Sequence, residues 1–286
     1  MTVLAPTRLD DAVAALAADP SLTVLAGGTD LMVAVNYGQY RPAGVLSLRR
    51  VPELHGWHIE GEGSAAHVVL GAATSYTTLL DPALAAVLPA LAQASRTVGS
   101  PQIRNTGTVG GNLGTASPAG DTLPVLVALD AAVELASASG RRSMPVSDFV
   151  TGPKRTALAP GELVTAVRVP VARGPQEFLK IGVRNAMVIA VANCALVLDL
   201  GGQRLACALG SVGPVPMRDR DAERWAEARL DWDGRPALDQ ALVDDFGRRM
   251  AAASRPIDDH RATAAYRRHA VEVLARRALA RAWAAA

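Results

Sequence analysis

The sequence predicts a mixed α+β protein made of two domains, and three observations lead to this prediction. Over the first part of the chain, short apolar strands alternate with Ala-rich helical segments. Near residue 173 the pattern changes to strand-like runs, and from Met217 onward it becomes helical and rich in arginine. The chain has 286 residues, of which 50% are hydrophobic, so it is long enough for one large domain or two ordinary ones.

The first elements follow from local signals. The spacing of Thr7 and Asp10 predicts a capping box at the start of a short helix, which Pro20 is expected to end. A short buried strand then leads into Gly27 and Gly28. The elements predicted next are a helix in DLMVAVNYG, a strand in AGVLSL, and two strands in HIEGEGSAAHVVLGA that are joined by a Gly/Ser turn.

Two prolines divide the helical stretch PALAAVLPALAQAS. Pro82 suits the first turn of a helix, whereas Pro89 is expected to kink or break it. Beyond a glycine-rich loop, the predicted elements are a helix in PAGDTLPVLVALDA and strands in AAVELAS and LVTAVRVP.

The segment ARGPQ predicts a linker to the second domain. Three strands are predicted after it, in FLKIGVR, MVIAVANCALVLDL and RLACALGSVG, with a turn at Gly201 and Gly202. The clearest amphipathic helix is RHAVEVLARRALARAW, close to the C-terminus.

Composition excludes several classes of function. A net charge of +2 and an aromatic content of 4% give no reason to expect nucleic-acid binding. The N-terminal residues show neither the basic nor the apolar region of a signal peptide, and no apolar run reaches the roughly 18 to 20 residues of a membrane span. We therefore expect a soluble cytoplasmic protein without a membrane span.

The cysteines and histidines predict no metal centre in this chain. Cys194 and Cys207 both lie in apolar surroundings, so we expect two buried, reduced thiols. An iron–sulfur cluster normally takes four cysteines, and the five histidines show no metal-binding spacing.

Two polar, glycine-rich segments are the strongest functional signal. They are VLAGGTDL, from Val24 to Leu31, and TVGGNLGTASPAGD, from Thr108 to Asp121. Each follows a strand and precedes a helix-like segment, so main-chain amides and a helix N-terminus can converge on an anion. The longer segment is interpreted as a loop that is costly to order unless a ligand fills it.

Neither segment contains the Rossmann or the P-loop fingerprint, so neither of those sites is predicted. A short run such as AGGTD could also be an ordinary turn. The pair of segments favours a long phosphate-bearing ligand with a sugar-like middle. Its phosphates would bind to amides, and its hydroxyls to Ser, Thr and Asp121.

Three blocks of sequence resemble the flavin subunit or domain of the molybdenum hydroxylases. The blocks are AGGTDL, IRNTGTVGGNLGTASPAGDTLPVLVALDA and TGPKRTALAPGELVTAVRVP, and the resemblance extends in the same order over nearly the whole chain. That family includes xanthine dehydrogenases, carbon monoxide dehydrogenases and related N-heterocycle and aldehyde oxidoreductases.

The resemblance implies FAD as the cofactor and a vanillyl-alcohol-oxidase-like FAD-binding domain of two α/β subdomains. This domain would span residues 1–173, with a break between its subdomains near residue 55. A small C-terminal flavoprotein domain with a three-stranded antiparallel sheet and a helix bundle would span residues 174–286.

The resemblance also implies which residues bind FAD. The main-chain amides of the first segment would bind the pyrophosphate, through Leu25, Ala26, Gly27, Gly28, Thr29, Asp30 and Leu31. Ala72 and Thr74 would lie near the flavin. The backbone of the second segment would approach the pyrophosphate and the isoalloxazine, through Thr108, Val109, Gly110, Gly111 and Asn112.

The remaining implied contacts come from single residues. Ser117 and Asp121 would contact the ribityl or adenosine portion, Leu163 the adenine side, and Lys180 the neighbourhood of the ring. We expect a Cβ at any of four glycines to push the cofactor off the amides, namely Gly27, Gly28, Gly110 and Gly111.

One segment departs from the pattern of the carbon monoxide group, where R-x-G-D-aromatic follows the lysine. Here the sequence is RNAMVI, with Met187 and Val188, which is nearer to the xanthine-dehydrogenase-like members. The departure puts an aromatic cover of the ring in doubt. No residue of the chain is expected to act as a catalytic acid or base.

The implied function is that of the medium subunit of a molybdenum hydroxylase, the subunit from which electrons leave. With two cysteines the chain can hold neither [2Fe-2S] cluster, and it is too short for a molybdopterin domain. Its expected partners are a small iron–sulfur subunit and a large molybdenum subunit, in an (LMS)2 heterohexamer. Electrons would pass from the clusters to FAD and on to NAD, a quinone or O2.

The substrate would be oxidised on another subunit, and a purine or other N-heterocycle, an aldehyde and CO all remain open. The alternatives are a stand-alone FAD-dependent oxidase or reductase, a non-enzymatic binding protein, and a different nucleotide in the same cleft.

Overall fold

The structure is a computed structural model that describes residues 2–286. Its N-terminal part is a three-stranded parallel sheet of strand order β1-β3-β2. The elements of this part are β1 (Thr2–Leu4), α1 (Leu9–Ala18), β2 (Thr23–Leu25), α2 (Leu31–Asn36) and β3 (Gly44–Ser47). The glycine turn between β2 and α2 lies where the sequence predicts it.

The predicted capping box at Thr7 and Asp10 does not form. Helix α1 begins after Arg8, whose side chain makes no capping hydrogen bond. Instead, the Leu9 N–H donates to Oε1 of Glu53 at 3.1 Å. The first N–H group of the helix, which has no partner within the helix, thus bonds to a carboxylate from a distant segment. The spacing of neighbouring residues in the sequence could not reveal this partner.

A five-stranded antiparallel sheet follows, with strand order β4-β5-β10-β6-β7. Its strands are β4 (Trp57–Glu60), β5 (His67–Gly71), β6 (Ala132–Ser137), β7 (Gly140–Pro145) and β10 (Leu163–Pro170). A small hairpin of β8 (Val150–Gly152) and β9 (Arg155–Thr156) precedes β10. The sequence did not predict β7, β8 or β9.

This part of the chain also contains six helices: α3 (Pro82–Val87), α4 (Pro89–Arg96), α5 (Pro101–Thr106), α6 (Val109–Thr115), α7 (Thr122–Ala128) and α8 (Val146–Phe149). Helix α6 packs on β5 and β10 of the five-stranded sheet, and α8 packs on β6 and β7. The predicted break at Pro89 is confirmed, because this proline is the first residue of α4. Three short 3-10 turns also occur, at Pro52–Leu54, Gly63–Ala65 and Thr78–Leu80.

The prediction of a continuous loop from Thr108 to Asp121 is wrong, because its first half is helix α6. Thr108 is the N-cap, and its Oγ1 accepts the Gly111 N–H at 3.0 Å. The apolar residues Val109 and Leu113 are buried one turn apart. Capping and burial thus override the low helix propensity of two adjacent glycines.

The C-terminal part contains a four-stranded antiparallel sheet of order β11-β12-β13-β14. Its strands are β11 (Gln176–Ile181), β12 (Ala192–Asp199), β13 (Arg204–Gly210) and β14 (Met217–Arg218). The three predicted strands are confirmed, and the two-residue β14 adds a fourth. Strand β12 begins later than predicted, because residues 187–191 belong to the loop that precedes it.

Three helices pack on this sheet and form a second core with it: α9 (Arg220–Glu227), α10 (Gln240–Ala253) and α11 (Ala264–Ala284). The other side of the sheet joins the core of the preceding part, through Phe178, Ala195, Val197 and Ala208. Helix α7 is buried along its whole length and packs against β12 and β13. The mixed α+β architecture is therefore as predicted.

Within residues 2–286, no helix combines the length and the apolar character that a membrane crossing requires.

Candidate functional site

A large cleft of about 1110 Å³ brings the two glycine-rich segments together. The β2–α2 turn lines one part of it, and α6 with the following residues 117–121 lines another. Oγ1 of Thr115 lies 3.5 Å from Oδ2 of Asp30, so the two segments also touch directly. The cleft exceeds the roughly 300–1000 Å³ of pockets for drug-sized ligands, as a long nucleotide ligand requires.

Most of the residues predicted to bind a cofactor line this cleft. They are Leu25, Ala26, Gly27, Gly28, Thr29, Asp30, Leu31, Ala72, Thr108, Gly110, Gly111, Asn112, Ser117, Asp121 and Leu163. Segments that are far apart in sequence thus converge on one site, as the sequence predicts.

Thr74, Val109 and Lys180 are not among the residues that line the cleft. The Thr74 hydroxyl donates to the Gly56 carbonyl at 2.7 Å, which holds β5 against the preceding turn. Val109 is fully buried in the core. Lys180 lies behind Asp121, to which its ammonium group is bound. In this structure all three support the wall of the cleft from behind.

The first segment offers free main-chain donors. Among the described residues, the N–H groups of Ala26, Gly27, Gly28, Thr29 and Asp30 donate no hydrogen bond to another protein group. Gly28 has a φ of +72°, which an L-residue adopts only with strain and which turns the chain sharply here. Successive free amides at the end of a strand form a concave anion site, so this turn is suited to a pyrophosphate.

The second segment offers no such cradle in its first turn, contrary to the expectation from sequence. The Val109 N–H donates to the Thr74 carbonyl at 3.0 Å, and the Gly110 N–H to the Ala72 carbonyl at 2.8 Å. Gly111 and Asn112 donate to Thr108, to its Oγ1 and to its carbonyl. These four amides are used within the protein, so they are not free to bind a phosphate.

The glycines are also required by close contacts within the protein. A Cβ at Gly27 would overlap the carbonyl of Thr106, and a Cβ at Gly110 would lie 2.7 Å from the Cβ of Ala72. At Gly111 the nearest atom would be Oγ1 of Thr108, at 2.9 Å. Close approach between the protein segments that form the cleft is therefore one reason for these glycines.

A buried ion pair forms the floor beside Ser117. Nζ of Lys180 lies 2.5 Å from Oδ2 of Asp121, and each side chain is only 7% exposed. Asn193 Nδ2 donates to Oδ1 of Asp121 at 3.1 Å. Burial raises the pKa of Asp121, and the charge and hydrogen bonds of Lys180 and Asn193 oppose that effect. Because the three residues come from α7's N-cap, β11 and β12, the C-terminal sheet supports this wall.

Val188, which stands where the carbon monoxide group has its aromatic residue, lines the cleft, and several other residues that line it were not predicted from sequence. Val188 and Ile189 reach it from the loop between β11 and β12, and Lys154 reaches it from the β8–β9 turn. Glu162 also lines it and pairs with Arg142 at 2.6 Å, a contact that lowers the pKa of Glu162. The lysine in TGPKRT stands next to a turn signal, the one feature that could have pointed to it.

Both cysteines are buried and reduced, as predicted. Cys194 and Cys207 lie on β12 and β13 with their sulfur atoms 3.5 Å apart, inside the second core. The neighbouring Cys194 thiol and burial raise the pKa of Cys207 well above its usual range, so this thiol is unreactive.

Comparison with known proteins assigns the chain to a family. Residues 1–172 match the family described as the FAD binding domain in molybdopterin dehydrogenase. The chain belongs to the molybdopterin dehydrogenase flavoproteins. Residues 177–282 match the CO dehydrogenase flavoprotein C-terminal domain.

Individual molybdopterin dehydrogenase flavoproteins resemble the chain over almost its full length. The glyceraldehyde dehydrogenase medium chain of Sulfolobus acidocaldarius is 34% identical over 274 residues, which cover 94% of each chain. A putative xanthine dehydrogenase FAD-binding subunit of Escherichia coli is 31% identical and covers 97% of this chain and 94% of its own. Reconstituted CO dehydrogenase from Oligotropha carboxidovorans has a chain of the same fold, with a TM-score of 0.88, 32% identity, and coverage of 100% and 98%.

The resemblance predicted from sequence is therefore confirmed. The chain is an FAD-binding medium subunit of the molybdenum hydroxylases, and FAD is its cofactor. The residues present fit that group, because the cleft offers consecutive free amides at the β2–α2 turn, has a volume of about 1110 Å³, and has apolar residues such as Leu163 and Val188 in its lining. As a molybdopterin dehydrogenase flavoprotein, the chain is an oxidoreductase subunit.

Proposed function

We propose that this chain carries electrons from [2Fe-2S] clusters of a partner subunit to an external acceptor. FAD supplies the electron-carrying chemistry when it is bound, and the chain supplies the cleft that holds and orients it. The observation that carries the proposal is the row of free amides from Ala26 to Asp30 at the edge of the cleft. They provide main-chain hydrogen-bond donors for a pyrophosphate.

We propose specific roles for the residues around that cradle. The amides of residues 26–30 hold the pyrophosphate, and Lys154, which also lines the cleft, adds a positive charge. In this proposal Ser117 binds a hydroxyl of the ribityl or adenosine portion and Leu163 packs against the adenine, which is supported by the position of both residues in the cleft lining. Gly110 and Gly111 approach the cofactor through their Cα atoms, because their amides are used within the protein.

Asp121 and Lys180 act as a unit in this proposal. Both carboxylate oxygens of Asp121 already accept hydrogen bonds, Oδ2 from Lys180 and Oδ1 from Asn193. We infer that this ion pair fixes the wall of the cleft beside Ser117, and that its two charges largely cancel near the flavin. Asp121 lines the cleft and Lys180 does not, so Lys180 acts on the cofactor site through Asp121.

The proposed assembly places the chain between two partners. A small subunit would hold the [2Fe-2S] clusters and a large subunit the molybdenum cofactor, in an (LMS)2 heterohexamer in the cytoplasm. Two lines support it: membership of the family, and a chain whose only two cysteines are buried side by side in a core. We propose the division of the chain into residues 1–173 and 174–286, with a further break near residue 55.

The substrate and the acceptor stay open within the proposal. The relatives carry names that refer to glyceraldehyde, xanthine and carbon monoxide, so the substrate class differs among similar chains. The acceptor is NAD, a quinone or O2. No acid or base of this chain is assigned to the chemistry, because flavin reduction requires a positioned ring rather than a reacting side chain.

The test uses the chain with and without its partners. The FAD-loaded chain is mixed anaerobically with candidate aldehydes and purines, and flavin reduction is followed by its visible absorbance. We expect no reduction by the chain alone, and reduction by the substrate of the complex once the iron–sulfur and molybdenum subunits are co-expressed with it. Rapid reduction of the isolated chain by an organic substrate would instead support a stand-alone flavin enzyme.

A further inference from the structure

Arg267 is a buried arginine far from the FAD cleft in sequence but connected to it in space. It lies in the first turn of α11, and the residue is only 1% exposed. Its Nη1 donates to two carbonyl oxygens, that of Val191 at 2.7 Å and that of Ser211 at 2.9 Å. Its Nη2 donates to Oδ1 of Asp259 at 2.6 Å.

The Val191 carbonyl leads to one wall of the cleft. Val191 ends the β11–β12 loop, and its N–H donates to the Ile181 carbonyl at 2.8 Å, which closes the loop at its base. Val188 and Ile189, three and two residues before it, line the cleft. The anchor therefore lies at the point where this loop returns to the sheet.

The Ser211 carbonyl leads to a second segment of the cleft lining. The N–H of Ser211 donates to the Pro118 carbonyl at 2.8 Å, so the same peptide segment joins Arg267 to the second glycine-rich segment. Ser117 and Ala119, on either side of Pro118, line the cleft. Ser211 itself has a φ of +63°, a strained value for a serine, which persists where the surroundings impose it.

Asp259 completes the cluster. Its Oδ2 accepts a hydrogen bond of 2.6 Å from Nη2 of Arg261. Nη1 of the same arginine donates to the Ala190 carbonyl at 3.3 Å. Two arginines thus hold consecutive carbonyls at the end of the loop, and one carboxylate orients both. A contribution to stability does not by itself explain a buried arginine at this position. The Nε atom of Arg267 has no hydrogen-bond partner among the described residues, which costs free energy of folding. Replacing a buried ion pair by apolar side chains often leaves the stability of a protein unchanged.

We propose that Arg267 is a positioning residue of the FAD cleft, which fixes the wall at Val188 and Ile189 through Val191 and the wall at Ser117 through Ser211. The inference rests on the proposed function in one respect, namely that FAD occupies this cleft. It predicts that the C-terminal helix, which contributes no residue to the cleft lining, sets the width of the cleft.

The test compares two variants on the same helix in the full chain. Arg267→Gln removes the cluster, whereas the control Arg276→Gln breaks the pair of Arg276 with Asp244, at 2.6 Å, which touches no segment of the cleft. We expect the dissociation constant for FAD to rise about tenfold or more in Arg267→Gln and to stay at the wild-type value in the control. Arg267→Lys should recover part of the affinity, because it keeps the charge but loses the two-pronged geometry.

Hydrogen exchange separates positioning from a loss of stability. In Arg267→Gln without FAD, we expect faster exchange at the amides of Val191 and Ser211 while β12 and β13 keep their protection. Asp259→Asn should produce the same local pattern more weakly. Exchange that rises throughout the C-terminal sheet, or FAD affinity unchanged in Arg267→Gln, would overturn the inference. If the wild-type chain itself failed to bind FAD, the proposed function would fail, and the exchange pattern would still decide the role of Arg267.

Discussion

The ammonium group of Lys180 lies 2.5 Å from the carboxylate of Asp121, and neither side chain is more than 7% exposed. One residue belongs to the strand that opens the C-terminal sheet, and the other precedes helix α7 at the cleft. A buried pair of this kind ties the two parts of the chain together at the proposed FAD site, and its cost in desolvation makes it sensitive to the loss of either partner.

Removal of Lys180 should therefore destabilise the fold. Lys180→Met leaves the Asp121 carboxylate buried without its partner, and we expect a loss of about 3–5 kcal/mol in the free energy of unfolding at pH 7. The double variant Lys180→Met with Asp121→Asn should recover most of that loss. Urea unfolding of the four proteins of the cycle measures both effects, and additive losses would contradict a direct coupling.

The loss of stability in Lys180→Met should depend on pH, because the buried Asp121 carboxyl can be protonated. Without Lys180, burial keeps the folded-state pKa of Asp121 above its unfolded value of 3.8. A group whose pKa is raised by folding contributes stability below its unfolded pKa and loses it as the pH rises through the folded value. The deficit of Lys180→Met relative to the wild type should therefore shrink as the pH falls towards 4, and a deficit that is constant from pH 7 to 4 would refute this.

The contribution of Asp259 to stability should depend on pH in the opposite direction. Its contacts with Arg261 and Arg267 hold the pKa of the carboxyl well below the usual value of 3.8. Its contribution to stability is then fully present above pH 3.8 and is lost as the pH falls further. Asp259→Asn should cost about 1–3 kcal/mol at pH 7, and unfolding curves for it and the wild type should converge in more acidic buffer.

The amide cradle at the β2–α2 turn can be tested with two matched glycines. Gly28 and Gly63 have φ values of +72° and +61°, and an added Cβ would approach a side-chain atom at 3.1 and 3.2 Å, respectively. Gly28→Ala and Gly63→Ala should each cost about 1–2 kcal/mol of stability. Only Gly28→Ala should weaken FAD binding, as measured by quenching of flavin fluorescence, because Gly63 lies outside the cleft. Equal affinities in the two variants would argue against the cradle.

A substitution at Gly110 can show whether this glycine is required by packing against Ala72 or by close approach of the cofactor. A Cβ there would lie 2.7 Å from both the Cβ and the carbonyl oxygen of Ala72. Gly110→Ala should therefore destabilise the FAD-free chain by about 1–3 kcal/mol, as overpacking does. Thermal unfolding without cofactor checks this. A normal melting temperature combined with lost FAD affinity would restore the explanation that the glycine clears space for the cofactor.

The sequence predicted the elements that depend on local pattern. The alternation of apolar residues in LVTAVRVP marks β10, and Pro89 marks the division between α3 and α4, because each signal is contained within a few residues. The two glycine-rich segments were predicted to share one ligand, and both line one cleft.

What the sequence could not predict depends on contacts between distant segments. The N-terminus of α1 is satisfied by Glu53, and the amides of Val109 and Gly110 by carbonyls of Thr74 and Ala72. The role of Gly27 likewise depends on Thr106, far along the chain. Hydrogen-bond partners of this kind are fixed by the tertiary arrangement, which no window of sequence contains.

FAD is proposed to bind in the cleft between the two glycine-rich segments. The most direct measurement is the amount of FAD retained by the purified full chain after incubation with the cofactor and gel filtration, with Gly28→Ala beside it. We predict one FAD per chain for the wild type, and a clearly lower occupancy for the variant. A wild-type chain that stays colourless, or a variant that retains FAD as fully as the wild type, would show that the amides of this cleft do not hold FAD.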